Sequence, residues 1–126
     1  MSQNPNLEFK SHSELFSLVG KAAAVIGGGG YICSALAKGL ASAGADIAII
    51  DIRVEKAESV ANEISKEFGV KTIGICADAT KLDELDKMMD KLIKFNPKIS
   101  IAVNGGGINS PEPFLDIKEE EWHKVV

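Results

Sequence analysis

Cysteine occurs only twice in this 126-residue chain, at Cys33 and Cys76, and neither belongs to a CxxC or CxxH spacing. That excludes a disulfide framework and supplies no ligand set for a metal, so both thiols are expected to be buried small hydrophobes in a reducing cytoplasm. Basic residues are no more plentiful than acidic ones: 14 Lys and Arg stand against 18 Asp and Glu, for a net charge of -4. Since the two signs are interspersed, no basic face is available for a nucleic-acid backbone or an anionic membrane, and neither is an expected partner. Long apolar runs are absent too, none nearing the ~20 residues that span a bilayer. Residues 1–17 mix Asn, Ser, Glu, Lys and His with isolated Leu and Phe, unlike the apolar centre of a signal peptide, and are expected to form a partly ordered leader.

What is present is an alternation. Short runs rich in Ala, Val and Ile alternate with amphipathic segments from Lys21 onward, the pattern of strand-helix units around a parallel sheet, an α/β architecture. Four strands are predicted, at Ala22 to Ile26, Asp46 to Ile50, Lys71 to Cys76 and Ile99 to Val103, each apolar enough to be covered by helices on both sides. The first helix is expected to bury Ile32, Ala35, Leu36, Gly39, Leu40 and Ala43 and to stop at Gly44. The second carries Val54, Ala57, Val60, Ala61, Ile64 and Phe68 and stops at Gly69. For the third, Thr80 is the expected N-cap and Leu82, Leu85, Met88, Met89, Leu92 and Phe95 the buried stripe, with Asp83/Lys87 and Asp90/Lys94 as supporting pairs and Pro97 beyond its end. A last helix is expected to open at Asp116 with Glu119 completing a capping box, and the chain ends at Val126 in mid-helix.

Four groups of residues carry candidate chemistry. Gly27, Gly28, Gly29 and Gly30 stand between the first strand and the first helix, where main-chain amides and the positive helix end can hold a pyrophosphate. Ordering four glycines costs about 2 to 4 kcal/mol relative to alanine, which argues for close approach of the backbone to something, a tight turn without a ligand being the alternative. Asp51 ends the second strand, where an acid can receive the hydroxyls of an adenosine ribose and repel a 2′-phosphate. A charge-assisted hydrogen bond of about 1.5 to 3 kcal/mol would favour NAD over NADP by roughly 10- to 100-fold. Arg53 nearby could turn toward a phosphate, but its place at a helix start favours a solvated position; Asp51 itself could be a mere helix cap. Asp78 follows the third strand, where it could receive an adenine amino group or serve ordinary turn chemistry. Asn104, Gly105, Gly106 and Gly107 follow the fourth, expected to lie beside the first glycine turn where strand order reverses.

At this point a family becomes visible. Gly20 to Gly27 resembles the opening of short-chain dehydrogenases/reductases, and Ala43 to Asp51 resembles their second strand. Asp78 falls at the family's adenine-contacting Asp, Asn104 to Gly107 at its Asn-Asn-Ala-Gly turn, and Pro113 to Trp122 at the run into its central helix. The resemblance covers about Leu15 to Val126 and implies a Rossmann-type doubly wound parallel sheet, here of strand order 3-2-1-4 and ending after the fourth strand. It implies a nicotinamide-cofactor half-domain over residues 18–126, with Tyr31, Ile32, Ile52 and Ala79 joining the residues above at the cofactor. In the full-length protein it implies hydride transfer on an alcohol, ketone or sugar substrate, and a homo-oligomer.

Departures from the family's Thr-Gly-x-x-x-Gly-x-Gly are specific. Ile26 replaces the Thr, Tyr31 the second Gly and Cys33 the last, with Tyr31 placed where bare backbone is expected near the pyrophosphate. The family's catalytic Ser, Tyr, Lys and central-helix Asn all lie beyond Val126, and Tyr31, the one tyrosine, cannot replace them. No catalytic residue is assigned, and negligible turnover is expected, because loss of a general acid alone removes roughly 10²- to 10⁴-fold in rate. Two other readings remain open: a non-catalytic dinucleotide-binding module, and a methyltransferase that uses a similar glycine turn and strand-end acids.

Overall fold

The computed structural model describes residues 10–126. The first nine residues of the expected leader lie outside the described residues; the rest of it includes one helical turn, α1 (His12–Leu15), closed by a capping box between Ser11 and Glu14. Eight elements follow in strict alternation: β1 (Ala22–Ile26), α2 (Tyr31–Ser42), β2 (Asp46–Asp51), α3 (Val54–Phe68), β3 (Thr72–Cys76), α4 (Leu82–Phe95) and β4 (Ile99–Asn104), then α5 (Glu119–Val125) after a 3-10 turn at Phe114–Asp116. The four strands form one parallel sheet in the order β3-β2-β1-β4. Register aligns their C-terminal ends: Ile26 lies opposite both Ile50 and Asn104, and Asp51 opposite Cys76.

Side chains alternate across the sheet and build two cores. On one face Ala23, Val25, Ile47 and Ile49 pack against Cys33, Ala37 and Ala41 of α2 and Ala57, Ala61 and Ile64 of α3. On the other, Ala24, Ala48, Ile50 and Ile75 pack against Met88 and Leu92 of α4. Small residues set the closeness of the layers. A Cβ added to Gly74 in β3 would lie 2.7 Å from the Glu58 nitrogen, so α3 rests directly on the strand's backbone. The Thr72 hydroxyl, donating to the Ala61 carbonyl at 2.8 Å, pins the two together.

Several local expectations differ from the structure. α2 buries Cys33, Ala37 and Ala41, while Ile32 is 73% and Leu36 49% exposed. The small residues Cys33, Ala37 and Ala41, four apart, form the face that packs on Ala23, Val25, Ile47 and Ile49. Thr80 is not the N-cap of α4; Lys81 is, and Thr80 instead donates its N–H and hydroxyl to Asp78, an Asx turn competing with the cap. Leu82 and Met89 lie outside the buried stripe of α4, and Asp90 and Lys94 are not among its ion pairs, whereas Asp83 and Lys87 meet at 3.8 Å. The Asp116 capping box does not form, since Asp116 closes the 3-10 turn and Lys118 precedes α5 without a side-chain cap. Cys76 is exposed rather than buried, at the end of an edge strand, with its thiol 3.4 Å from the Ile52 carbonyl. β4 is not covered on both faces: Ser100, Ala102 and Asn104 are exposed while Ile99, Ile101 and Val103 are half-buried. α3 ends as expected at Gly69, whose φ of 68° is the left-handed cap that glycine adopts at least cost. Among the described residues no helix is long and apolar enough to cross a membrane.

Candidate functional site

The parallel register brings the carboxyl ends of all four strands to one edge, and each is followed there by one of the groups singled out in the sequence. The first glycine turn leaves β1 through Gly27, at φ 74°. Its geometry is fixed by main-chain bonds: Gly28 N–H to the Ile50 carbonyl and Gly30 N–H to the Gly27 carbonyl, both at 3.0 Å. Gly30 is the N-cap of α2 and provides no side-chain cap, so the amides opening the helix lack an internal partner.

The second turn touches the first. Gly105 N–H donates to the Ile26 carbonyl at 3.0 Å, and a Cβ at Gly27 would meet the Gly105 carbonyl carbon and oxygen at 3.0 Å and the Gly106 nitrogen at 3.1 Å. Gly27 is thus held to glycine twice over, by its positive φ and by this approach. Gly105 is held by a different neighbour, because its Cβ would overlap the Cys33 thiol rising from α2. Asn104 steadies the loop by accepting the Gly106 N–H on its side chain at 3.3 Å.

Asp51 lies under the first turn and is the one buried polar or charged residue among those described, at 5% exposure. Its Oδ2 accepts the Gly29 N–H at 3.0 Å, and a Cβ on Gly29 would sit 2.6 Å from that same oxygen. Its Oδ1 accepts the Arg53 N–H at 3.0 Å. Arg53, expected to be solvated, instead folds its guanidinium back onto the carboxylate, Nε to Oδ1 at 2.9 Å and an Nη to Oδ2 at 3.2 Å. The reason is local: the strand-to-helix turn already draws the Arg53 amide onto Asp51, which leaves its side chain beside an anion that burial has stripped of water. Hydrogen bonding from the Arg53 side chain, acting against burial and aided by the Arg53 N–H, its charge and the Gly29 N–H, sets the Asp51 carboxyl below its usual value.

Asp78 stands at the same edge, one residue beyond Ala77, whose N–H reaches the Asp51 carbonyl at 3.2 Å. The Thr80 hydroxyl, then its N–H, hold the Asp78 carboxyl below its usual value. Glu84, which the sequence reading passed over, accepts the Asp78 N–H at 2.7 Å and so ties this loop to α4. Ile52 is exposed beside Asp51, and Ala79 is exposed beside Asp78. The phenol of Tyr31 does not fill the space between the turns: it is 94% exposed, and Ile32 beside it is also open to solvent. Glu84 and the meeting of Cys33 with Gly105 were missed in the sequence and left no local signal there, whereas Arg53 was visible two residues past an acid at a strand end but expected in solvent.

A family model described as short chain dehydrogenase matches residues 21–126. Among curated proteins, the chain is 33% identical over 114 residues to the 5-keto-D-gluconate 5-reductase of Escherichia coli K12, covering 90% of this chain and 44% of that protein. A short-chain type dehydrogenase/reductase from Mycobacterium marinum superposes with a TM-score of 0.82 at 33% identity, over 88% of this chain and 43% of that one. The L-sorbose reductase of Gluconobacter frateurii, solved with NADPH and L-sorbose, superposes with a TM-score of 0.78 at 25% identity, over 85% and 41% of the two chains. The chain therefore spans a little under half the length of the relatives it matches. With its sheet order, its paired glycine turns and a family match from Lys21 to its last residue, this chain belongs to the short-chain dehydrogenases.

Proposed function

We propose that the protein carrying this chain transfers a hydride between a nicotinamide dinucleotide and an alcohol or carbonyl group of a small molecule, sugars included, and that these residues hold the cofactor. One observation carries the reading: two glycine turns meet at Gly27 and Gly105 at the carboxyl edge of a parallel sheet, and the first of them is tied through the Gly29 N–H to a buried carboxylate, Asp51. The residues fit such a group. The turns meet through main chain alone, with no room for a side chain at Gly27, Gly28 or Gly29. The uncapped start of α2, with Tyr31 and Ile32, offers main-chain donors to a pyrophosphate. Asp51 and Ile52 would face the adenosine ribose, Asp78 and Ala79 the adenine, and Asn104, Gly105 and Gly106 the floor of the groove. When bound, the nicotinamide ring supplies the hydride donor or acceptor.

The ionised, buried Asp51 favours NAD, since a 2′-phosphate would be set against a carboxylate held in its charged form. No catalytic residue is assigned among the 126, because the one tyrosine stands exposed at the glycine turn, and turnover by this chain alone is expected to be negligible. Self-association of this chain is part of the proposal, since among the described residues β4 is an edge strand and Trp122 is half exposed. A cytoplasmic setting suits the two free thiols. The family match from residue 21 onward argues against the methyltransferase reading. Calorimetric titration of the chain with NAD, NADP and S-adenosylmethionine tests all this: saturable binding of NAD, weaker binding of NADP and none of S-adenosylmethionine are expected, and failure to bind NAD would overturn the proposal.

A further inference from the structure

The Asp51 carboxylate has no acceptor capacity left. A carboxylate offers about four lone-pair sites, and four N–H groups occupy them: Gly29 N and an Arg53 Nη on Oδ2, Arg53 N and Nε on Oδ1, at 2.9 to 3.2 Å. These donors are of two kinds. The Gly29 and Arg53 amides belong to the turns themselves and stay wherever the fold stays. The other two ride on a single side chain that is 54% exposed, while the carboxylate beneath it is 4% exposed. A ribose hydroxyl that must donate to Asp51 therefore finds no free oxygen lone pair until the guanidinium leaves, and the guanidinium alone among the four donors can leave without unfolding a turn.

We propose that Arg53 is a displaceable gate over the ribose-binding carboxylate and, by that displacement, a residue that sets the breadth of cofactor choice. This rests on the reading that the chain binds a nicotinamide dinucleotide. NAD has to exchange a bidentate ion pair for neutral hydroxyl donors, so Arg53 competes with it. NADP brings a phosphate that Asp51 repels, but the displaced guanidinium, a planar fork suited to phosphate oxygens, remains tethered two residues away to receive it. Asp51 by itself would separate the two cofactors by roughly 10- to 100-fold, and Arg53 narrows that separation from both sides. A purely structural part for the side chain, pinning the strand-to-helix turn, is already filled by its own amide, which every substitution except proline retains.

Isothermal calorimetry of the chain and of its Arg53→Ala and Arg53→Lys variants with NAD and NADP tests the gate, with thermal melts to verify folding. In Arg53→Ala the NAD dissociation constant is expected to fall about 2- to 5-fold, the scale of a half-exposed ion pair, and that for NADP to rise roughly 10-fold. Arg53→Lys keeps the charge without the fork and should fall between the two; it serves alone if the alanine variant does not fold. A preference ratio that stays within about 3-fold of wild type in the variants, or shifts toward NADP, overturns the gate. Binding of neither cofactor by any of the three proteins overturns the dinucleotide reading beneath it, a separate outcome.

Discussion

Alanine at Gly105 should damage this fold through one atom. The Gly105 backbone is not left-handed, so the substitution brings no strain in φ. Its new Cβ would meet the Ile26 carbonyl oxygen at 3.4 Å and the Cys33 Cβ at 3.6 Å, both ordinary contacts. What it could not avoid is the sulfur of Cys33, a residue that is 8% exposed and packed between α2 and the sheet. Overpacking of this kind costs about 1 to 3 kcal/mol. With an unfolding entropy of roughly 2.1 cal/mol/K per residue, or about 0.26 kcal/mol/K for a chain of this length, a cost of 2 kcal/mol lowers the melting temperature by about 8 °C. Circular dichroism melts of the chain, Gly105→Ala, Cys33→Ala and the double variant measure the coupling. Cys33→Ala alone leaves a small void and costs about 1 kcal/mol. In that background the added methyl meets no sulfur, so the cost of Gly105→Ala should drop below about 0.5 kcal/mol, a coupling of roughly 1 to 2 kcal/mol. Strictly additive melting shifts would refute the contact as the reason for glycine at this position.

Two further outcomes follow from the acid beneath the turns. Gly29→Ala places a Cβ 2.6 Å from Asp51 Oδ2 and 2.8 Å from the Lys56 Cβ, whereas Gly30→Ala meets only the Gly27 carbonyl oxygen at 3.2 Å. Gly29→Ala is expected to lose about 1 to 3 kcal/mol of stability and more than 10-fold in NAD affinity, Gly30→Ala much less of each, by chemical denaturation and calorimetry; equal effects would contradict the assigned geometry. The Asp51 carboxyl titrates below its ordinary value of 3.8 in the folded chain, so its contribution to stability is complete above that value and is lost as pH falls through the lower, folded one. Removing the first cause of that depression in Arg53→Ala should move the Asp51 midpoint upward in carbon-detected NMR, and an unmoved midpoint would mean that the ion pair is not formed in solution.

The strands were legible because each is a short apolar run bounded by turn residues, and the observed bounds differ from those expected by one residue at most. Gly69 was legible for the same reason, as was the meeting of the glycine turns, which follows once strands one and four are taken to be neighbours. Helix α2 was not. Its bulky and small residues both recur at helical spacing, so periodicity admits two faces, and only packing in the folded chain put Cys33, Ala37 and Ala41 against the sheet. The caps at Thr80 and Asp116 failed because a polar side chain near a helix start has more than one main-chain group within reach, and local geometry decides among them.

The order of short apolar runs and glycine turns by itself determined the parallel sheet and the edge at which a ligand could lie, since burying those runs and closing those turns are local demands that few other folds meet. The tertiary structure alone decided that Arg53 closes over Asp51 and that Cys33 occupies the space a side chain at Gly105 would need. The first depends on burial, which strips water from an acid whose partner is already two residues away, and the second on packing, which brings two distant residues to one volume; neither exists along an extended chain.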